Sequence, residues 1–242
     1  GIAGLAQAAS IAAPWNGQPL WWLQLLSLAA LVLQLDALRE RSQPKPAWRS
    51  AALYGWLFST AWLCGTFWWL FVSMHTYGGL AAPLAAFAVL ALSAGLSLYY
   101  AAAAAFYVAF APRHRAGAVL LFAAGWTLAE LLRNSWFTGF PWGAGGYAHV
   151  EGPLAAYAPW LGVYGVGGVA AAVATLAAAA LQRGGTRAVP LGAALLLLCV
   201  PALVGTLRGT SDDPALSRGR LDVALLQGNI PQDEKFIPSG GI

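Results

Sequence analysis

Charged side chains are scarce in this sequence. Asp, Glu, Lys and Arg make up only 9% of its 242 residues, whereas hydrophobic residues make up 59%. Soluble domains carry about 25% charged residues, so a soluble protein of this length could not cover its surface with so few. Lipid tails accept apolar side chains, and twelve tryptophans suit a membrane interface. The composition excludes an ordinary soluble domain and predicts an integral membrane protein.

Cysteine is almost as scarce as charge. Cys64 and Cys199 each lie inside an apolar run, with no disulfide or zinc spacing, and we interpret them as small apolar fillers within helices. The sequence offers no Ser–His–Asp arrangement, no cysteine beside a plausible base and no His/Asp cluster with metal-ligand spacing. We therefore predict no catalytic residue, no metal and no cofactor in this chain.

Long apolar runs predict membrane helices, because a span needs about 20 apolar residues. Seven runs are present, at 1–13, 20–38, 50–72, 83–111, 116–132, 161–181 and 188–207. The first is short, and we interpret it as the tail end of a first transmembrane helix. The predicted fold class is an all-α polytopic membrane bundle of about seven transmembrane helices, occupying residues 1–207.

The basic residues predict the orientation. Three connections hold most of them: Arg39, Arg41, Lys45 and Arg49; then Arg113 and Arg115; then Arg183 and Arg187. The remaining connections hold almost none. Because positive charge marks the cytoplasmic side, we predict that these three connections are cytoplasmic. The loops rich in aromatic residues and glycine are then external.

The sequence pattern changes after the last apolar run. A polar linker at 208–220 is followed by a short apolar run at 221–226, which is closed by turn residues. This run is too short for a membrane helix, so we predict the first buried strand of an outer α/β domain. The remaining residues are too few for a domain core. We expect the chain to stop within the start of that second domain, at 221–242.

Glu130 and Arg133 are the first candidate site residues. At a spacing of i,i+3 they share a helix face, and ionisable residues in membrane helices are functional candidates. Two interpretations are open. The pair could be a structural ion pair that anchors the helix end. Alternatively, Arg133 could hold an anionic headgroup or position a loop, since its fork donates two parallel hydrogen bonds, with Glu130 fixing its orientation.

Two neighbouring outer segments supply further candidates. His75, in "FVSMHTYGG", is either a structural histidine or one that contacts substrate. Phe140 and Trp142, in "FTGFPW", are displayed by a restrained turn that contains a proline. They are either interfacial anchors or a wall for an acyl chain or lipid headgroup.

Four segments resemble one known family, in that family's order. "GTFWWLFVSMHTYGG", "AELLRNSWFTGFPWGAGGY", "PWLGVYGVGG" and "VALLQGNIPQDEKF" are similar to segments of bacterial apolipoprotein N-acyltransferases. The last resembles the opening of the family's nitrilase-like domain. It contributes Gln227, Asn229 and Phe236 as candidate positioning residues, with Phe236 standing where the family often has tryptophan.

The resemblance implies a function. An outward-facing nitrilase-like domain on a membrane bundle would take an acyl group from a phospholipid, through a cysteine thioester, to the N-terminal amine of a lipidated apolipoprotein. A glutamate would act as base and a lysine would stabilise the oxyanion. The implied partners are phospholipid, apolipoprotein and the bilayer, with no nucleic acid. The implied protein is a monomer of the bacterial inner membrane, with its nitrilase-like domain on the periplasmic side.

The sequence also departs from the family pattern. The family's catalytic Glu, Lys and Cys lie downstream of "QGNIPQ", beyond residue 242, so we expect this chain to be inactive by itself. Two alternatives are open: a small transporter or channel, and the membrane anchor of another nitrilase-type enzyme. A transporter predicts ionisable residues near mid-helix and repeated broken helices, whereas the charges here cluster at helix ends.

Overall fold

The computed structural model describes residues 1–40, 47–182, 186–208 and 222–227. Within these ranges the chain forms helices joined by loops, and no strand is present among them. The α-helices are α1 (Ile2–Ile11), α2 (Trp21–Glu40), α3 (Ala47–Thr66), α4 (Trp68–Val72), α5 (Ala82–Phe110), α6 (Arg115–Ser135), α7 (Ala158–Leu181) and α8 (Ala188–Arg208). The prediction of an all-helical membrane bundle is confirmed.

The number of spans is only partly as predicted. Among the described residues, four helical segments are long and apolar enough to cross a bilayer, namely Trp21–Glu40, Ala82–Phe110, Arg115–Thr138 and Pro153–Leu181. A bent pair, Ala47–Thr66 with Trp68–Tyr77, makes a possible fifth. Ile2–Ile11 and Ala188–Pro201 are apolar but shorter. The described part of the chain therefore holds seven apolar helical segments, of which four or five are long enough to span a bilayer.

The third apolar run is not one straight helix. The chain bends by 52° between α3 and α4, at Phe67, whose backbone leaves helical geometry with φ −98° and ψ 13°. After α4 the helix widens into a π-helical turn, Ser73–Tyr77. Phe67 is fully buried at this bend, so the chain changes direction after α3 at a packed aromatic side chain.

Helices α3 and α5 can lie in close contact because a glycine of α3 lies at the point where they cross. A Cβ on Gly55 would stand 2.8 Å from the carbonyl oxygen of Tyr100 on α5, which is too close for any larger residue. Small residues at such crossings let membrane helices approach. Around this crossing, Trp62, Tyr100 and Trp126 form an aromatic cluster, with ring centroids 4.9–5.9 Å apart.

The connections divide between two faces of the bundle. The three basic connections begin and end on one face, which we call the basic face. There Arg39 donates to the Ala111 carbonyl at 2.8 Å, and Arg115 donates to the Thr186 carbonyl at 2.9 Å. On the opposite face, which we call the loop face, α2 begins and α6 ends. This division agrees with the predicted alternation of basic and aromatic loops.

The predicted strand at 221–226 is not confirmed. Residues 222–227 lie in neither helix nor strand, and the side chains of Leu225 and Leu226 are 92% and 98% exposed. A buried strand needs neighbours that cover it and complete its hydrogen bonds, and the described residues supply none. The linker at 208–220 lies almost entirely outside the described residues. The start of a nitrilase-like domain stays a prediction.

Candidate functional site

Arg133 binds the loop that follows α6, the segment that contains Phe140 and Trp142, to the end of that helix. Its side chain is 1% exposed. Nη1 donates to the backbone carbonyls of Phe140 at 2.8 Å and Trp142 at 2.7 Å, and Nε donates to the hydroxyl of Tyr100 at 3.1 Å. The guanidinium also lies 6.0 Å from the ring centre of Trp62. The guanidinium is therefore bonded to the backbone of this loop, and which of the roles left open for Arg133 applies stays a prediction.

The loop backbone adopts an unusual conformation where it leaves α6. Phe137, Thr138 and Gly139 all have positive φ, at 52°, 72° and 77°. Residues other than glycine rarely adopt this region. Gly139 is required here, because a Cβ would collide with the carbonyl oxygen of Asn134. The reversal brings the Phe140 amide to within 2.8 Å of the Arg133 carbonyl, to which it donates.

Aromatic contacts join this loop to the α3–α4 bend. The ring of Phe140 lies 4.9 Å from that of Phe67 in an edge-to-face arrangement. Trp142 lies 5.9 Å from Trp69 and remains 57% exposed. Such aromatic pairs contribute about 0.5–1.5 kcal/mol each beyond the area they bury. Phe137 is 89% exposed, so the loop displays aromatic side chains at the bundle surface.

Glu130 holds a different part of the same segment. It is 1% exposed, and its two carboxylate oxygens accept from the amide of Gly145, at 3.2 and 3.3 Å. Glu130 and Arg133 share a face of α6, as predicted, and both are buried. However, no ion pair or hydrogen bond joins them, and the salt bridge found among the described residues is Asp36–Arg39. Their charges still interact through space, so the roles suggested for this pair, a structural anchor or Glu130 fixing the orientation of Arg133, stay predictions.

Two residues that the sequence analysis did not single out complete this network. Gln24 of α2 donates through Nε2 to the carbonyl of Gly145 at 2.6 Å. Its Oε1 lies 2.6 Å from Nε2 of His149. With the amide oriented this way, Nε2 of His149 carries a proton and donates it to Gln24. Burial lowers the pKa of His149 to about 4, which agrees with a neutral imidazole.

Close packing around Gly145 leaves no space for a side chain. A Cβ there would stand 2.9 Å from both Gln24 Nε2 and Glu130 Oε1. Gln7 of α1 also borders this position and is fully buried, yet neither of its amide atoms has a hydrogen-bond partner within the described part of the chain. The network therefore joins α2, α6 and the 3₁₀ turn Gly145–His149 beneath the loop.

The remaining predicted candidates either make other contacts or are not placed against this site by any described contact. His75 is exposed, and its Nδ1 lies 2.8 Å from the carbonyl of Leu80, a contact that closes the turn after the π-helical segment. Gln227 is described and exposed, whereas Asn229 and Phe236 lie outside the described residues. The residues that the structure brings together are Glu130, Arg133, Phe140 and Trp142.

The arrangement can hold and display a loop, and it contains no nucleophile. Cys64 is half-buried within α3, and Cys199 is exposed on α8. In the part of the chain described, no group of three His, Cys, Asp or Glu side chains could hold a metal ion. The site can therefore hold a loop in one conformation at one face of the bundle.

These features define a helical membrane domain that braces an aromatic loop with a buried arginine. Residues 3–176 match the family described as the apolipoprotein N-acyltransferase N-terminal domain. The match covers more than half of the chain, so the chain belongs to this family. This membership confirms the resemblance found in the sequence and disfavours a transporter or channel.

Curated relatives carry the same family name. The chain is 54% identical over 253 residues to the apolipoprotein N-acyltransferase of Verminephrobacter eiseniae, covering 100% of this chain and 46% of that protein. It is 41% identical to that of Ralstonia nicotianae, over 91% of the chain and 40% of the relative. For Bordetella bronchiseptica the identity is 39%, over 98% and 44%. The chain thus spans less than half the length of these relatives.

Proposed function

We propose that this chain is the membrane half of an enzyme that transfers a fatty acyl group from a phospholipid to the N-terminal amine of an apolipoprotein. The observation that carries the proposal is the match of residues 3–176 to the N-terminal domain of this family, together with relatives of that name, one of them 54% identical to this chain. The apolar helices suit an enzyme whose donor is a membrane lipid.

The finer features of the proposal follow from the resemblance. A nitrilase-like domain, beginning at 221–242, would carry the catalytic Glu, Lys and Cys beyond residue 242. It would stand on the periplasmic side of the inner membrane, above a bundle of seven spans, in a monomeric protein. The clustering of basic connections on one face supports this orientation, because positive charge favours the cytoplasmic side.

Within this enzyme, the loop held by Arg133 would be part of the platform on which the substrate meets the outer domain. Two observations support this role. The loop lies at the end of α6, on the face proposed to be external. Its backbone is fixed by the carbonyl bonds of Arg133, while Phe137 and Trp142 project from it with 89% and 57% exposure. A fixed display of aromatic groups at headgroup depth suits contact with a lipid.

The test of the activity is reconstitution. The full-length protein in vesicles, with phospholipid and a diacylated lipopeptide, should give N-acylated product, whereas residues 1–242 alone should give none. Failure of the full-length protein would contradict the proposed activity. Turnover by residues 1–242 would show that the nucleophile has been assigned to the wrong part of the protein.

The role of Arg133 is tested in the full-length protein. Arg133→Lys keeps the charge but cannot reach all three of its acceptors, so acyl transfer should fall while protein level and membrane insertion stay normal. Arg49→Lys is the matched control, because Arg49 lies over the Trp48 ring near the basic face. Measuring thioester formation separately from transfer shows which step the loop serves. Unchanged rates for Arg133→Lys and Arg133→Ala would leave Arg133 as an anchor only.

The orientation is tested by single-cysteine labelling after replacement of Cys64 and Cys199. In intact spheroplasts, a membrane-impermeant maleimide should label Trp142→Cys and leave Arg113→Cys unlabelled. The opposite pattern would reverse the proposed topology without affecting the proposed activity of the isolated protein.

A further inference from the structure

A polar cavity of about 790 Å³ lies on the basic face, among the ends of the membrane helices. It is bordered by the C-terminal ends of α2, α5 and α7 and by the first residues of α3 and α6. Its polar lining includes Arg39, Glu40, Tyr107, Arg113, Arg115 and Gln182. This cavity is remote from the loop held by Arg133, because the two lie at opposite ends of α6.

One wall of the cavity is a closed network of hydrogen bonds around Asp36. The Asp36 carboxylate accepts from the Tyr107 hydroxyl at 2.8 Å, from Arg39 Nη1 at 3.0 Å and from Gln182 Nε2 at 2.6 Å. These bonds tie together α2, α5 and the residue that follows α7. The charge of Asp36 is compensated by Arg39, so this wall is rigid and close to neutral.

A second set of bonds fixes the position of Arg39. Its Nη2 donates to the carbonyls of Ala111 and Pro112, at 2.8 and 3.1 Å, and its guanidinium lies 5.2 Å from the ring centre of Tyr107. Arg39 therefore has little capacity left for a ligand. It acts as part of the wall rather than as a binding group.

The other charged groups of the lining leave a positive balance. Arg113 is exposed, and no described residue forms a hydrogen bond or ion pair with its side chain. Arg115 donates through Nη1 to the carbonyl of Thr186 and keeps the rest of its guanidinium available. Glu40 is the remaining carboxylate of the lining. Among the described residues of the lining, these two arginines against one glutamate leave a net charge of +1.

The neighbouring sequence adds to this positive charge. In the sequence, Arg41 and Lys45 follow Glu40 in the connection between α2 and α3, and Arg183 follows Gln182 in the connection after α7. Their positions lie outside the described residues, so they are counted for their sequence alone. In sequence, they add three positive charges next to Glu40 and Gln182, two residues of the lining.

The depth of the cavity corresponds to that of lipid headgroups. Each bordering helix begins or ends there, and Trp48, at the start of α3, is 46% exposed. Tryptophan collects at headgroup level. Arginine forks match phosphate oxygens in geometry, and basic pockets between membrane helices suit anionic headgroups. We propose that this cavity binds the phosphate-bearing headgroup of an anionic phospholipid through Arg113 and Arg115.

The proposal does not rest on the proposed acyl transfer. The cavity is on the face opposite the Arg133 loop, so the bound lipid would be a structural lipid of the other leaflet rather than the acyl donor. Loss of this lipid and loss of the acyltransferase reaction can therefore be measured separately in the same preparation.

The experiment is lipid titration of the full-length protein in detergent, followed by native mass spectrometry. The probes are phosphatidylglycerol, phosphatidylcholine with the same acyl chains, and inorganic phosphate. The test variant is the double substitution Arg113→Gln with Arg115→Gln. The matched control is Arg49→Gln with Arg187→Gln, which removes the same charge from the same face but from residues outside the lining.

The wild type should prefer phosphatidylglycerol to phosphatidylcholine. The test variant should lose about 30-fold in affinity for phosphatidylglycerol, as expected for two basic residues near a headgroup, whereas the control should lose clearly less. Glu40→Gln, which removes the opposing charge, should bind phosphatidylglycerol more tightly. This gain keeps the test decisive even if the arginine variants fold poorly.

Three outcomes would overturn the proposal. Equal losses in the test variant and the control would mean general attraction to a cationic surface. Equal binding of the two lipids would mean that the headgroup charge is not recognised. If inorganic phosphate competes with phosphatidylglycerol and binds with the same affinity, the cavity binds a free anion and not a lipid.

Discussion

Replacing Gln24 with leucine should destabilise the protein far more than the same change at Gln7. Gln24 donates to the carbonyl of Gly145 and accepts from His149, each at 2.6 Å. Leucine is similar in size but forms neither bond, so two buried polar groups lose their partners. Each such group costs about 1–3 kcal/mol. The expected loss for Gln24→Leu is therefore about 2–6 kcal/mol.

Gln7 provides a matched control in the same layer of the bundle. It is also a fully buried glutamine, but neither of its amide atoms is hydrogen-bonded to any described residue. Replacing a buried polar group that lacks a partner removes a desolvation cost and breaks no bond. Gln7→Leu should therefore leave the stability unchanged or raise it.

The assay is thermal unfolding of the purified full-length variants in a single detergent. For a domain of this length, 1 kcal/mol shifts the Tm by about 2–4 °C, so Gln24→Leu should lower the Tm by at least about 4 °C. Near-equal decreases for the two leucine variants would refute the reasoning, because they would show that the bonds of Gln24 contribute nothing beyond its volume.

Three further predictions concern the same region. Arg133→Lys should speed backbone hydrogen exchange at residues 139–145 by at least about tenfold, because at least one charged hydrogen bond is lost. Unchanged exchange would show that the hydrogen bonds of Arg133 do not hold the loop. Gly145→Ala should lower the Tm, because its Cβ would stand 2.9 Å from Glu130, whereas Gly95→Ala, which meets nothing within 4 Å, should not. Burial lowers the pKa of His149 to about 4, so the contribution of the neutral ring to the free energy of unfolding is present above about pH 6.5 and lost as the pH falls toward 4. The loss is about 3 kcal/mol. His149→Gln should reduce this dependence of stability on pH.

The helices could be predicted from the sequence because the bilayer imposes a simple rule. Backbone groups in lipid must be satisfied within the segment, so each long apolar run becomes a helix, and the predicted run at 83–111 nearly coincides with Ala82–Phe110. The bend at Phe67 could not be predicted in this way. At the bend Phe67 packs against Phe140, and these two residues are far apart in sequence and apolar in any pattern.

Part of the site was also readable from the sequence. Glu130 and Arg133 stood out because charge is costly in a membrane helix, and both are indeed buried. Their partners could not be inferred from the i,i+3 spacing, because a nearby loop offers backbone groups that compete with the opposite charge. The one sequence signal for Gln24 was its polarity near the start of an apolar run. A polar residue there is equally well explained by a helix end that lies in water.

The positions of the polar groups explain why the loop needs support from beneath. Its residues 137–139 adopt left-handed geometry, a conformation that costs free energy for Phe137 and Thr138. The chain offsets this cost with bonds to backbone atoms: Arg133 binds two carbonyls, Glu130 an amide and Gln24 a further carbonyl. Because these groups bind backbone rather than side chains, the loop shape is held while its exposed aromatic residues stay free to contact a ligand. Substitutions at Phe137 should therefore alter what the loop contacts, and substitutions at Arg133 should alter whether the loop keeps its shape.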